Sequence, residues 1–481
     1  MQPIKQFWKN SAIYGIGSIL VRAISFFLLP LYTNAFTPSE TGYIFLVFTF
    51  IAFAQIVYSY GQDSAFLQFY KQDSIDKDSI GRTSLLLLIT TSIIFSSVII
   101  IFADSITNNI LNLEEGIWVI YCSGILFFDA VSSRIMTLIR IQEHALTYLI
   151  ISILNVIASL LTSYILVINY NFGIDGILIG VLVGTILRWV MLIPHQIETL
   201  SKGTFSFIFA KKLLKFGLPF FPAAFFYLIL EMSDRYLLFW ILGPEAVGVY
   251  SIGYKLGSLA LFIISAFNLG WQPFYIKIGK HKNAGATFGK IGTIFLRSLI
   301  SLWGLIIFWT PSFMRIKVGA NHLIGEEFWA SEQIVSIIFL SYLFYAGYII
   351  LMPSIYLIEK QNWSPIFRGT GAIINICLNL LFIKYWGLLG AALATLAAYI
   401  AMFTFIFYKS NQWLKILCNW KSIGVHLTTT AAFISIFGMT EKTFLISIGF
   451  TFSYLGLLLL LQGKTKLLSD FKYLKSSFSD A

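Results

Sequence analysis

The chain has 481 residues, of which 58% are apolar and only 11% charged, and its mean hydropathy is +0.81. Soluble domains are about 45–50% apolar and about 25% charged, so this chain has too little polar surface to stay dispersed in water. A soluble enzyme, a disordered chain and a nucleic-acid binder are excluded despite the formal net charge of +11; the composition is that of an all-α, polytopic integral membrane protein.

A membrane-spanning helix needs about 20 mainly apolar residues. In chain order the sequence predicts about fourteen, over roughly 11–34, 42–61, 84–104, 117–140, 147–168, 173–194, 217–241, 246–270, 291–310, 332–357, 363–383, 387–408, 423–439 and 443–462. The first is too long for a signal-peptide core and lacks a small-residue cleavage site, so it reads as a retained span. The longest connections, near 62–83, 195–216 and 311–331, hold about twenty residues each, too few for a further domain. Cys122, Cys377 and Cys418 and the five histidines show no disulfide or metal-ligand spacing, so neither a metal nor a cofactor is expected.

Lysine and arginine in the connections orient the chain. One alternate set of connections carries 22 of them, from Lys5 and Lys9 through Lys202, Lys211, Lys212 and Lys215 to Lys475, whereas the opposite set carries four: Arg315, Lys317, Lys384 and Lys442. The alternation keeps its phase along the chain, which calls for an even number of spans with both termini cytoplasmic.

The chain also repeats itself. Pro38, Gly42, Phe69 and Lys71 return 206 positions later as Pro244, Gly248, Tyr275 and Lys277, and Gly173, Gly176, Gly180 and Gly184 return 214 positions later as Gly387, Gly390, Ala394 and Ala398. Small residues at every fourth position let helix backbones approach closely. Six spans per copy make two parallel six-helix lobes, expected over 1–200 and 201–410, with an appended helix pair and cytoplasmic tail over 411–481.

Ionisable side chains inside spans are costly and mark function. Seven cations (Arg22, Arg134, Arg188, Arg235, Lys255, Arg297 and Arg368) stand against three anions (Asp129, Glu231 and Asp234). Arg188, Arg297 and Arg368 are near enough to cytoplasmic span ends to snorkel. Glu231 and Arg235, four apart, can neutralise each other, and Lys255 can pair with Asp234. Asp129 and Arg134 are five apart and need partners elsewhere. Arg22, in mid-span with no acidic neighbour on its helix, calls for a wet cavity. The surplus of cations suits an anion, and arginine suits phosphate through its bidentate fork. Pro30, Pro219, Pro222 and Pro353 are candidate kink positions, although Pro219 and Pro222 also fit a first helical turn. Gly285–Lys290 is one residue short of a phosphate-binding loop and is followed by Ile291, and Gly369 and Gly371 lack the third glycine of a dinucleotide fingerprint.

The stretch Asn10, Tyr14, Gly15 and Gly17, then Pro30 to Thr33, then Pro38, Gly42 and Tyr43 resembles the start of the Wzx-type O-antigen and polysaccharide flippases of the MOP superfamily, which also holds the MATE drug exporters. The resemblance implies a multi-pass protein of the bacterial cytoplasmic (inner) membrane that is not an enzyme. It would carry undecaprenyl-diphosphate-linked oligosaccharide from the cytoplasmic to the periplasmic leaflet by alternating access between two lobes, with a proton or sodium gradient as the candidate driving force. It implies membrane lipid, a polysaccharide polymerase and a chain-length regulator as partners, and no nucleic acid. On this reading Arg22, Arg134, Lys255 and Arg235 hold the diphosphate or acidic sugars, Arg188, Arg297 and Arg368 stand near the cytoplasmic mouth, and Asp129, Glu231 and Asp234 carry the coupling ion. The main rival is a MATE-like multidrug cation antiporter, which calls for an anionic cavity. A polymerase or membrane glycosyltransferase calls for a sizeable periplasmic loop that the connections do not supply.

Overall fold

The computed structural model describes residue 26 and residues 28–70, 72, 75–111, 116–279, 281 and 283–462, which fall into two compact units, Met1–Gly248 and Val249–Ala481. Most of the first expected span lies outside the described residues; its end is α1, Leu28–Ala35. Helix α2, Pro38–Ser59, starts on a capping box. The Glu40 amide donates to the Thr37 hydroxyl at 3.3 Å and the Thr37 amide to the Glu40 carboxylate at 2.8 Å, with Pro38 in the first turn, where no N–H is needed. The helix breaks at Tyr60 and Gly61, both with positive φ, and resumes as α3, Gln62–Tyr70.

Asp76 caps α4, Lys77–Ile101, accepting from the Asp78 amide at 3.1 Å. Helices α5, Ile117–Ile141, α6, Ala145–Tyr164, and α7, Gly173–Met191, complete the expected first six. α6 and α7 meet almost backbone to backbone: a Cβ on Gly180 would strike Ser163 and Ser159, and one on Gly184 would strike Ser159 and Asn155. The small-residue stripe therefore builds this hairpin.

The expected connection at 195–216 is helical, as α8, Ile193–Ser201, and α9, Phe207–Gly217. A 3₁₀ turn holding Pro219 leads into α10, Phe221–Leu242, whose first turn holds Pro222. Both prolines therefore start helices instead of bending one in mid-span. α10 packs on α2 through Phe225 against Phe53, ring centroids 5.6 Å apart, and Phe239 against Tyr43, 6.2 Å apart. Helix α11, Pro244–Gly257, begins at the end of this unit. A Cβ on Gly42 would overlap the Pro244 carbonyl, and a Cβ on Gly248 would overlap the Pro38 carbonyl. The contact is reciprocal between residues that the sequence reads as repeat equivalents.

The second unit holds the rest of α11, α12, Leu259–Ile278, α13, Ala284–Met314, α14, Glu332–Leu351, and the long run α15, Ser364–Trp413. α15 is two helices broken at Gly387, matching the expected eleventh and twelfth spans; Asn375 donates across them to Thr395 at 3.3 Å. A two-residue hairpin, Lys317–Val318 with Asn321–His322, occupies part of the 311–331 connection. The appended pair, α16, Trp420–Gly438, and α17, Phe444–Gln462, packs on α13. Phe308 is buried against Phe437 and Tyr454, Ser447 donates to the Phe308 carbonyl at 2.7 Å, and Thr430 and Tyr454 share a 2.7 Å hydrogen bond.

Among the described residues ten helical runs are long and apolar enough to cross a membrane. Large apolar side chains face outward along them, such as Ile101 and Ile373, as a lipid solvent demands. The protein is an all-α polytopic membrane protein.

Candidate functional site

Helix α5 carries Asp129 and Arg134 five positions apart, which sends their side chains to different sides of the helix. Asp129 forms an ion pair with Arg188 of α7, and both side chains keep partial exposure, 32% and 16%. This pairing supplies a neutraliser for a cation that snorkelling would otherwise have to accommodate.

Arg134 is completely buried. Its Nη2 stands 3.4 Å from the Asp63 carboxylate and its Cζ 4.5 Å from the centre of the Phe66 ring. Asp63 and Phe66 are three apart on α3 and so adjacent on its surface; together they offer the guanidinium a carboxylate and an aromatic face. Even so, among the described residues Nε, Nη1 and Nη2 of Arg134 make no hydrogen bond, and neither do the two amide atoms of the fully buried Gln62. Unanswered donors on a buried charge are costly, and their retention points to function.

On α10, Glu231, Asp234 and Arg235 are all buried. Arg235 donates to the Glu231 main-chain carbonyl at 3.0 Å and to the Asp234 carboxylate at 3.2 Å. In the second unit Lys255 on α11 and Arg368 on α15 are half-buried, and Arg297 on α13 is buried. Arg22 lies outside the described residues. The structure thus joins Asp129 to Arg188 and Asp234 to Arg235 among the residues that the sequence singled out.

The sequence reading missed Asp63 and Glu332. Asp63 follows the expected end of the second span, and only the continuation of the helix past Gly61 brings it back to the bundle. Glu332 accepts from Arg315 at 3.2 Å and also pairs with Lys442. It pairs with two of the four cations of the lysine-poor set of connections, a clasp hidden by their separation in sequence. Among the described residues no group of three His, Cys, Asp or Glu is placed to hold a metal ion.

Residues 35–269 match the family model described as "Polysaccharide biosynthesis protein". The "Lsg locus putative protein 1" of Haemophilus influenzae is 22% identical over 361 residues, 71% of this chain and 85% of that protein. An uncharacterized membrane protein of Methanocaldococcus jannaschii is 22% identical over 451 residues, 85% of each chain. Among solved structures, the lipid II flippase MurJ in an inward closed conformation superposes with a TM-score of 0.72 at 17% identity, covering 94% of this chain and 99% of that one. An inward-facing multidrug resistance MATE family transporter of the MOP superfamily gives a TM-score of 0.60 at 14% identity, covering 88% of this chain and 99% of that one. The chain is thus similar over residues 35–269 to that polysaccharide-biosynthesis family, and its fold is that of the MurJ and MATE structures. The matched polysaccharide-biosynthesis segment contains Asp129, Arg134, Arg188, Glu231, Asp234, Arg235 and Lys255; Arg297 and Arg368 lie beyond it.

Proposed function

We propose that this chain is a flippase that moves an undecaprenyl-diphosphate-linked oligosaccharide, an O-antigen or other polysaccharide repeat unit, from the cytoplasmic to the periplasmic leaflet of a bacterial inner membrane. The observation that carries the reading is a buried arginine with unanswered donors, Arg134, inside the segment that matches polysaccharide biosynthesis. Arginine is the side chain best suited to a diphosphate, and the lipid tail can remain in the bilayer while the glycan crosses. On this reading both termini are cytoplasmic, the lobes are 1–200 and 201–410 with 411–481 appended, and no bond in the substrate is made or broken.

Arg22, Arg134, Lys255 and Arg235 are assigned to the diphosphate or acidic sugars, and Arg188, Arg297 and Arg368 to the cytoplasmic mouth. Asp129, Glu231 and Asp234 are assigned to a coupling proton or sodium ion. The chemistry that links them is simple: protonating a carboxylate that holds a guanidinium frees that guanidinium for another anion. A polysaccharide polymerase and a chain-length regulator would act on the delivered unit.

The test uses sealed inverted vesicles loaded with the lipid-linked oligosaccharide, following glycan transfer into the lumen with and without the protein. Protein-dependent transfer that Arg22→Ala abolishes at normal protein level is the expected result. Transfer at the wild-type rate by Arg22→Ala would remove Arg22 from the site. No protein-dependent transfer of the cognate glycan would favour the second reading, a MATE-like cation antiporter, which the likeness to MATE folds supports.

A further inference from the structure

The segment between α7 and α10 is neither a plain loop nor a span. Its flanking helices both cross the membrane, so it stays on one side, the lysine-rich one. The helical run Phe207–Leu242 is 36 residues long. At about 1.5 Å per residue that greatly exceeds the roughly 30 Å of hydrocarbon. The excess is α9, where Lys211, Lys212 and Lys215 lie.

α9 is fixed to the bundle by its inner face. Ala210, Leu213 and Gly217 are buried at helical spacing, and Phe216 packs edge-on against Phe69 of α3 at 5.4 Å. The connection before it is tied to the start of α4: Arg82 donates to the Gly203 carbonyl at 3.0 Å, the Thr204 amide to Ser79 at 2.9 Å and the Ser206 amide to Thr83 at 3.0 Å. Its outer face is different in kind. Phe207 is 79% exposed and Ile208 68%, beside exposed Lys211, Lys212 and Lys215. Large apolar side chains next to lysines, outside the hydrocarbon, match the headgroup layer: apolar groups enter the acyl boundary while the ammonium groups meet phosphate.

We infer that the outer face of α9 is a docking surface for anionic phospholipid headgroups of the adjoining leaflet. The charge complementarity argues for this occupant: three lysines fall within five residues, and none of the three forms an ion pair among the described residues. Each lysine near an anionic surface strengthens binding by about fivefold. The lipid would hold the linker at a fixed depth, and with it the start of α10.

The test uses the full chain purified in a neutral detergent and titrated with fluorescent phosphatidylglycerol or fluorescent phosphatidylcholine, read by anisotropy. Preference for phosphatidylglycerol is expected, and it should vanish near 0.5 M salt. The triple variant Lys211→Gln, Lys212→Gln, Lys215→Gln should weaken phosphatidylglycerol binding on the order of a hundredfold and leave phosphatidylcholine unchanged, whereas lysine-to-arginine changes retain it. If the triple variant does not fold, the single lysine changes carry the test at about fivefold each. Equal binding of both lipids by the wild type, or a phosphatidylglycerol preference that survives loss of the lysines, would overturn the inference.

Discussion

Gly173 and Gly387, 214 positions apart, both hold positive φ, 53° and 55°, at the entrance to repeat-equivalent helices. Gly387 combines this with ψ of −130°, a region that side-chain-bearing residues avoid. At Gly173 a Cβ would meet nothing within 4 Å, so the objection to a side chain there is conformational. Gly387→Ala should therefore destabilise by about 1–3 kcal/mol and Gly173→Ala by about 1–2 kcal/mol, read as shifts in thermal midpoint in detergent. Equal midpoints for Gly387→Ala and the wild type would show that the break in α15 does not depend on glycine.

Arg134 and Asp63 make an asymmetric pair, the guanidinium fully buried and the carboxylate side chain 48% exposed. Removing one partner penalises whichever charge is left in the drier place. Asp63→Asn should cost about 3–5 kcal/mol because it strands the arginine. Arg134→Met leaves a carboxylate in partial contact with its surroundings and should cost less. Chemical unfolding of the two variants side by side decides it, and a larger loss for Arg134→Met would mean that the arginine packs more than it pairs.

That pair also shows where reading the sequence stops. Span positions, the every-fourth-residue stripe of Gly176, Gly180 and Gly184, and the equivalence of Gly42 with Gly248 are read from composition and period, because lipid leaves the backbone almost no alternative to helices. Pairings do not follow. Asp129 finds Arg188 59 positions away and Trp118 donates to Asp175 at 3.0 Å across α5 and α7; both depend on helix rotation, which no local pattern encodes. Asp63 falls in the expected connection near 62–83, whereas Tyr60 and Gly61 are only a break after which the helix resumes. Lysines at 202–215 read as a topology signal, and the amphipathic helix that displays three of them is set by packing on α3 and α4.

The Asp129–Arg188 pair separates a structural role from a transport role. Both charges are partly exposed, so breaking the pair should cost no more than about 1–3 kcal/mol of stability. If the carboxylate carries the coupling ion, Asp129→Asn should abolish gradient-dependent glycan transfer while the protein stays folded. The charge-reversed double variant, Asp129→Arg with Arg188→Asp, should regain stability without regaining transfer. Recovery of both together would make the pair a structural staple, and gradient dependence that persists in Asp129→Asn would move ion coupling to Glu231 or Asp234.

Outside the membrane, Asp76 gives a pH-dependent handle on the start of α4. The Ser79 hydroxyl donates to its carboxylate, with further help from main-chain amides, and holds it below the usual carboxylate value of 3.8. Its pKa is lower in the folded chain than in the unfolded one, so the unfolded chain binds the proton more readily, and stability rises with pH across the interval between the two values. The contribution is complete above the unfolded value and is lost as pH falls through the folded one. Asp76→Ala should therefore lower the thermal midpoint at neutral pH, with the gap to the wild type closing as the solution is acidified below about 4. Ser79→Ala should reproduce part of the effect, since it removes the largest cause of the depressed value. A gap that stays constant from neutral pH down to pH 3 would show that the cap acts through geometry alone, independent of its charge.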